Sequence, residues 1–153
     1  MDNTNDTVSV QGYALLWDVK YVMGEYVESV SRGALAGADM SEVKLLVDHD
    51  FSLLLASTGG GTLKLTIDNK GLFFKASLPM TDVGVYTAEM VSRRDLTQTS
   101  WGFTLDKKSG SNWSTLESGV AYRVITKVNK LWDVSICTYP ANPKTWVTLS
   151  DNF

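Results

Sequence analysis

Alternation of apolar and polar residues with a period of two runs through most of this chain, and only one segment reads with a helical period. The cleanest case is a hairpin: Leu63, Leu65 and Ile67 alternate with Lys64, Thr66 and Asp68, Asp68-Asn69-Lys70-Gly71 turns, and Leu72, Phe74, Ala76 and Leu78 return. Pro79 ends it. Further extended stretches are predicted from Val8, through Gly12–Trp17 with a break near Asp18, at Tyr26–Val30, at Val43–His49 and at Leu53–Thr58. Thr97–Leu105, Val120–Val128 and, after a turn at Asn129-Lys130, Leu131–Cys137 follow, and Tyr139-Pro140-Ala141-Asn142-Pro143 stops the last of them. The helical segment starts at Asp82 behind a Thr81 cap, presents Val83, Tyr86 and Met90 with Val91, and stops near Arg93-Arg94-Asp95. Ser31–Gly37 reads as a short helix or turn, Gly59-Gly60-Gly61 as a flexible loop, and Lys107–Gly119 as a polar loop or hairpin end that includes Trp113. Six or more strands with one clear helix imply a mainly β domain, a closed or nearly closed barrel. The 153 residues suffice for one domain with its own core. Residues 8–147 are expected to form it, between a flexible start at 1–7 and a tail at 148–153.

Charge and cysteine usage narrow the function. A formal charge of −3 and a pI near 5.1 argue against a general nucleic-acid or acidic-membrane binder. One cysteine excludes an internal disulfide framework and favours a reducing compartment. The polar start Met1-Asp2-Asn3-Thr4-Asn5-Asp6 reads as neither signal nor transit peptide, and no apolar run reaches membrane-spanning length. The expectation is an intracellular protein that is not secreted, without cofactor or metal. One histidine and one cysteine cannot build a metal site from those ligands.

The chemistry-bearing candidates are few. In Thr97–Leu105, Trp101, Phe103 and Leu105 share one strand face, so Ser100 looks the other way. Gly102, two residues on, removes the side chain that would cover the hydroxyl. His49, the single histidine, is read at the end of the apolar face Val43, Leu45, Val47, between Asp48 and Asp50. A histidine so placed suits a general base. Ser100 activated by His49, oriented by a carboxylate such as Asp133, is the nucleophilic arrangement this composition permits, with Asp48 and Asp50 as rival orienters that point away along the chain. Cys137 reads as a small buried thiol. Backbone amides around Gly102 or near Arg123 are the oxyanion candidates.

Several of these elements together resemble a known family. Leu45-Leu46-Val47-Asp48-His49-Asp50, then Gly71-Leu72 with Ala76-Ser77-Leu78-Pro79-Met80-Thr81, then Thr99-Ser100-Trp101-Gly102-Phe103, then Leu131-Trp132-Asp133-Val134-Ser135 with Pro140-Ala141-Asn142-Pro143, resemble the prohead (head maturation) serine proteases of tailed bacteriophages. That family is related in fold to the herpesvirus assemblins. Arg32-Gly33-Ala34-Leu35 is similar to its Pro-Gly-Ala-Phe element, and Arg123 with Ile125 to its arginine strand. The likeness spans roughly residues 10 to 145.

The resemblance implies a mostly antiparallel β-barrel flanked by helices, His49 as base, Ser100 as nucleophile, and the family's acid on Asp133, one methylene shorter. Assemblins complete their triad with a second histidine, which this chain lacks. Trp101 replaces a smaller residue, and Arg94 stands where the family has glycine before the serine strand. The implied substrates are capsid and scaffold proteins inside the assembling prohead in the host cytoplasm, with a homo-oligomer, a dimer, suggested by the assemblins. The end at Phe153 leads to the expectation that no scaffold segment is fused. The alternatives are a proteolytically silent β-barrel scaffold module and a non-peptidase hydrolase such as an esterase using the same residues.

Overall fold

The computed structural model describes residues 7–153, so most of the stretch expected to be flexible, residues 1–6, lies outside the described residues. Twelve strands and one helix are formed among the described residues: β1 (Val8–Leu16), β2 (Tyr21–Met23), β3 (Tyr26–Val30), β4 (Lys44–Val47), β5 (Asp50–Ser57), β6 (Leu63–Ile67), β7 (Gly71–Leu78), α1 (Asp82–Arg93), β8 (Gln98–Leu105), β9 (Ser111–Thr115), β10 (Ala121–Ile125), β11 (Val128–Cys137) and β12 (Trp146–Ser150). They make three four-stranded sheets, ordered β12-β1-β7-β6, β2-β3-β10-β9 and β5-β4-β11-β8. The domain is mostly β, but its hydrogen bonding does not close into the expected barrel, and one helix stands where flanking helices were expected. The pairing is mainly antiparallel; β10 with β3 and β11 with β4 are the parallel exceptions.

One apolar core joins the sheets. Val10, Phe74, Leu72 and Ala76 of the first sheet, Val30 and Ile125 of the second, and Leu45, Leu131, Val134 and Ile136 of the third are all fully buried in it. Alternation is the cause: each contributes every second residue inward. The β6–β7 hairpin forms as its alternation predicts, and Asp68 Oδ1 accepts the N–H groups of Lys70 and Gly71 to close its turn.

Helix α1 begins and ends where its signals lie. Thr81 Oγ1 accepts the Gly84 N–H, and Arg94 closes the C-terminus in the left-handed region at φ 67°. A glycine is favoured in that conformation, and here Arg94 adopts it. The buried stripe is Gly84, Thr87 and Val91; of the four residues that the spacing suggested, Val91 is buried, Val83 and Met90 pack partly buried against the core, and Tyr86 is exposed. A β-carbon at Gly84 would lie 1.9 Å from Pro79 O, so the first turn packs by its backbone.

Three other boundaries differ. The strand read as Val120–Val128 stops at Ile125, and Thr126-Lys127 carries the chain from the second sheet to the third; Asn129 and Lys130 belong to β11 and do not turn. Ser111–Thr115 is an edge strand inside the expected loop. Residues 148–150, expected as tail, are part of β12, which pairs with β1.

Candidate active site

The third sheet assembles the site. Strands β8 and β11 are antiparallel with Ser100 opposite Ser135 and Gly102 opposite Asp133. Directly paired residues project from the same face. Trp101, opposite Val134, therefore turns to the core, stacked on Phe103 with ring centroids 3.8 Å apart, and Ser100 turns away from it. Ser100, Ser135 and Asp133 thus share the outer face.

His49 covers that face from above. It does not end a strand: Asp48 and His49 are the two central residues of the β4–β5 turn, both in the left-handed region at φ 49° and 57°. Two positive values make a primed hairpin turn, which suits the twist of the flanking strands. Asp and His enter this region more readily than most residues, yet each costs about 1–3 kcal/mol there. Hydrogen bonds to β11 and the residue after it hold the turn down. Asp48 N–H donates to Ile136 O, Asp48 Oδ1 accepts Thr138 N–H, and His49 N–H donates to Ser135 Oγ at 3.0 Å.

The imidazole then meets the acid. His49 Nδ1 lies 2.6 Å from Asp133 Oδ2, and Ser135 Oγ donates to the same oxygen at 2.8 Å. Asp133 is 4% exposed while the His49 side chain is 42% exposed, so the carboxylate is desolvated and the ring remains reachable. The hydrogen bond to Asp133 raises the His49 pKa from 6.5 to about 10, the Cys137 thiol beside the ring adds a lesser upward push, and partial burial works against both. Ser100 is 8% exposed, one strand position across from Ser135. No hydrogen bond joins its hydroxyl to the ring among the described residues, and such contacts tighten on substrate binding.

Of the sequence candidates, Ser100, His49 and Asp133 come to one face. Asp48 and Asp50 do not reach the ring: Asp48 bonds Thr138, and Asp50 Oδ1 caps the Ser52 N–H. Gly102 serves a purpose other than uncovering Ser100, because its missing β-carbon is where the Asp133 carboxylate sits. Arg123 lies on the second sheet, its guanidinium held by Glu28 and flanked by the rings of Tyr26 and Trp113. Ser135, which bonds both the Asp133 carboxylate and the His49 N–H, stands in the sequence only within the Leu131–Ser135 motif. Its pairing opposite Ser100 is a matter of register, which local sequence does not encode. Cys137 is buried as expected, but it stands against His49. Among the described residues no cluster of His, Cys, Asp or Glu is arranged to hold a metal ion, and no helix is long and apolar enough to cross a membrane.

The sequence model of the family described as "Caudovirus prohead serine protease" matches residues 1–152. No curated protein matches the chain. Solved structures that share its fold include two herpesvirus proteases. KSHV protease in complex with a hexapeptide phosphonate inhibitor aligns with a TM-score of 0.56 at 10% identity, over 96% of this chain and 66% of that one. Varicella-zoster virus protease aligns with a TM-score of 0.55 at 13% identity, over 96% of this chain and 65% of that one. This chain therefore spans just under two-thirds of the length of those herpesvirus proteases.

Proposed function

Since this chain belongs to the family of caudovirus prohead serine proteases, we propose that it is the endopeptidase that cleaves capsid and scaffold polypeptides during prohead maturation, with Ser100 as nucleophile, His49 as general base and Asp133 as the group that orients the base. The observation that carries the reading is the 2.6 Å contact between His49 Nδ1 and Asp133 Oδ2 on the sheet face that Ser100 shares.

The chemistry follows from that contact. With Nδ1 engaged by the carboxylate, Nε2 is the ring nitrogen left to take the Ser100 proton, and general-base assistance of this kind contributes about 10²–10⁴-fold. Asp133 fixes the tautomer and stabilises the imidazolium that forms. In this reading Asp133 orients the single histidine, with no second histidine needed. Work inside the prohead, and association of copies as in the assemblins, belong to the same reading.

A serine-directed fluorophosphonate tests it. Labelling of the wild type that disappears in Ser100→Ala, together with cleavage of the capsid precursor by the wild type alone, is the expected result. Undiminished cleavage by Ser100→Ala overturns the assignment. Labelling without cleavage of any capsid or scaffold protein turns the reading into that of a non-peptidase hydrolase.

A further inference from the structure

Just after β11 the chain carries a polar group that the fold leaves without a partner. Asn142 is 6% exposed, and its Nδ2 is the one buried side-chain atom with no hydrogen-bond partner among the described residues. An unmet buried donor is destabilising, and each one in a native structure asks for a cause. The amide cannot simply be turned round. Its Oδ1 accepts the Lys144 N–H at 3.0 Å, which directs the NH₂ end elsewhere.

The same turn is bolted to the strand of the nucleophile. Thr145, 3% exposed, donates its hydroxyl to Thr99 O at 2.5 Å, with Asn142 O 2.9 Å from the same oxygen, and accepts the Thr99 N–H at 3.1 Å. Thr99 precedes Ser100. Ser100, Asn142 and Thr145 line one narrow cavity of about 10 Å³ at the edge of β8, whose other walls include Ala14, Tyr21 and Trp101. That is room for about one water-sized group.

We propose that Asn142 Nδ2 is an oxyanion donor of this protease, a role that rests on Ser100 being the nucleophile. As Ser100 Oγ adds to the scissile carbonyl carbon, its proton passes to His49 and the carbonyl π pair moves onto oxygen. Nδ2–H meets the charge that forms there. On collapse the pair returns, the carbon–nitrogen bond breaks, and the leaving nitrogen takes the proton from His49. A donor held by the Lys144 bond and already buried needs little reorganisation at that moment, which is what makes such donors effective.

The test uses the fluorophosphonate as probe, since its attack by Ser100 expels fluoride and loads charge onto the phosphoryl oxygen. Asn142→Asp keeps the shape and the acceptor for Lys144 but loses the donor, and Asn142→Ala loses both. With folding followed by circular dichroism, both variants are expected to be labelled about 10²–10³-fold more slowly than wild type, with kcat on a capsid-derived peptide falling in parallel and KM held. Labelling of either folded variant at the wild-type rate overturns the donor role and leaves the Ser100 reading intact. A loss carried by KM alone also overturns it. A wild type that is not labelled at Ser100 removes the reading and this inference together.

Discussion

Gly102 lacks a side chain where Asp133 needs the space: a β-carbon there would lie 2.0 Å from Asp133 Oδ1 and 2.9 Å from its Cγ. The two residues are directly paired across β8 and β11, so the collision has no sideways escape. Gly102→Ala is therefore expected to push the carboxylate off His49 Nδ1 while the sheet persists. Loss of the orienting acid in serine proteases costs about 10⁴ in kcat. A fall of roughly 10²–10⁴ in kcat/KM, with strand content unchanged by circular dichroism, is the expected outcome. Wild-type turnover in Gly102→Ala would show that the acid's position does not matter to the base.

The His49–Asp133 pair also predicts a pH dependence. A general base must be unprotonated, and with the His49 pKa raised to about 10 the free enzyme gains activity as pH climbs toward that value. In Asp133→Asn the midpoint moves down toward the ordinary 6.5 while the plateau drops, and the loss stays smaller than in His49→Ala. Stability follows the opposite course. The folded value lies above the unfolded one, so the pair contributes fully below about pH 6.5 and loses that contribution as pH rises through about 10. Urea midpoints of wild type and Asp133→Asn measured across that window should converge at its alkaline end. A wild-type activity midpoint near 6.5 would contradict the pairing.

The three residues proposed for the site stand out in the sequence for a plain reason: the chain has one histidine and a strand serine that faces away from its aromatic neighbours, and the family resemblance puts the acid on Asp133. What escaped is physical in kind. Asp48-His49 is not the Asn-Gly pair that announces a primed turn, so His49 read as a strand end although it lies at a hairpin tip. Ser111–Thr115 has no apolar face to betray a strand, because as an edge it buries none. Alternation continues across Thr126-Lys127, where the chain changes sheets, so the break is invisible to periodicity. The sheets do not close into the expected barrel; the parallel pairs β3–β10 and β4–β11 join segments far apart in the chain, and no local pattern reports which strands become neighbours. The space that a Gly102 side chain would take is that of the Asp133 carboxylate, a neighbour set by register and not by local sequence.

Ser135 ties His49 to Asp133. Its hydroxyl donates to Asp133 Oδ2 and accepts the His49 N–H, and it is fully buried. Ser135→Ala leaves the His49 N–H without its partner in a turn already held in the left-handed region, and takes one donor from a buried carboxylate. A stability loss of about 1–3 kcal/mol is expected from urea unfolding. Activity should fall through a less firmly placed ring, so kcat drops while fluorophosphonate labelling remains confined to Ser100. An unchanged unfolding midpoint would mean that the turn does not depend on this hydroxyl.

Arg123 and Glu28 make the last prediction, and it separates scaffold from catalysis. Glu28 is 2% exposed on β3, directly paired with Arg123 on β10, and its carboxylate accepts from Arg123 Nε and from the Tyr21 hydroxyl, both at 2.6 Å. Burial pushes the Tyr21 pKa far up, with Glu28 adding to it, so that hydroxyl stays a donor. Removing the guanidinium leaves a buried carboxylate with one neutral partner, and breaking such a pair costs about 3–5 kcal/mol. Arg123→Met is expected to lose stability on that scale by urea unfolding, and Glu28→Gln in the same chain to restore much of it. Were the Arg123 side chain an oxyanion donor, the folded fraction would also lose about 10²–10³ in kcat. With its guanidinium committed to Glu28 between Tyr26 and Trp113, kcat of that fraction should stay within about tenfold of wild type, below the loss that a missing donor produces.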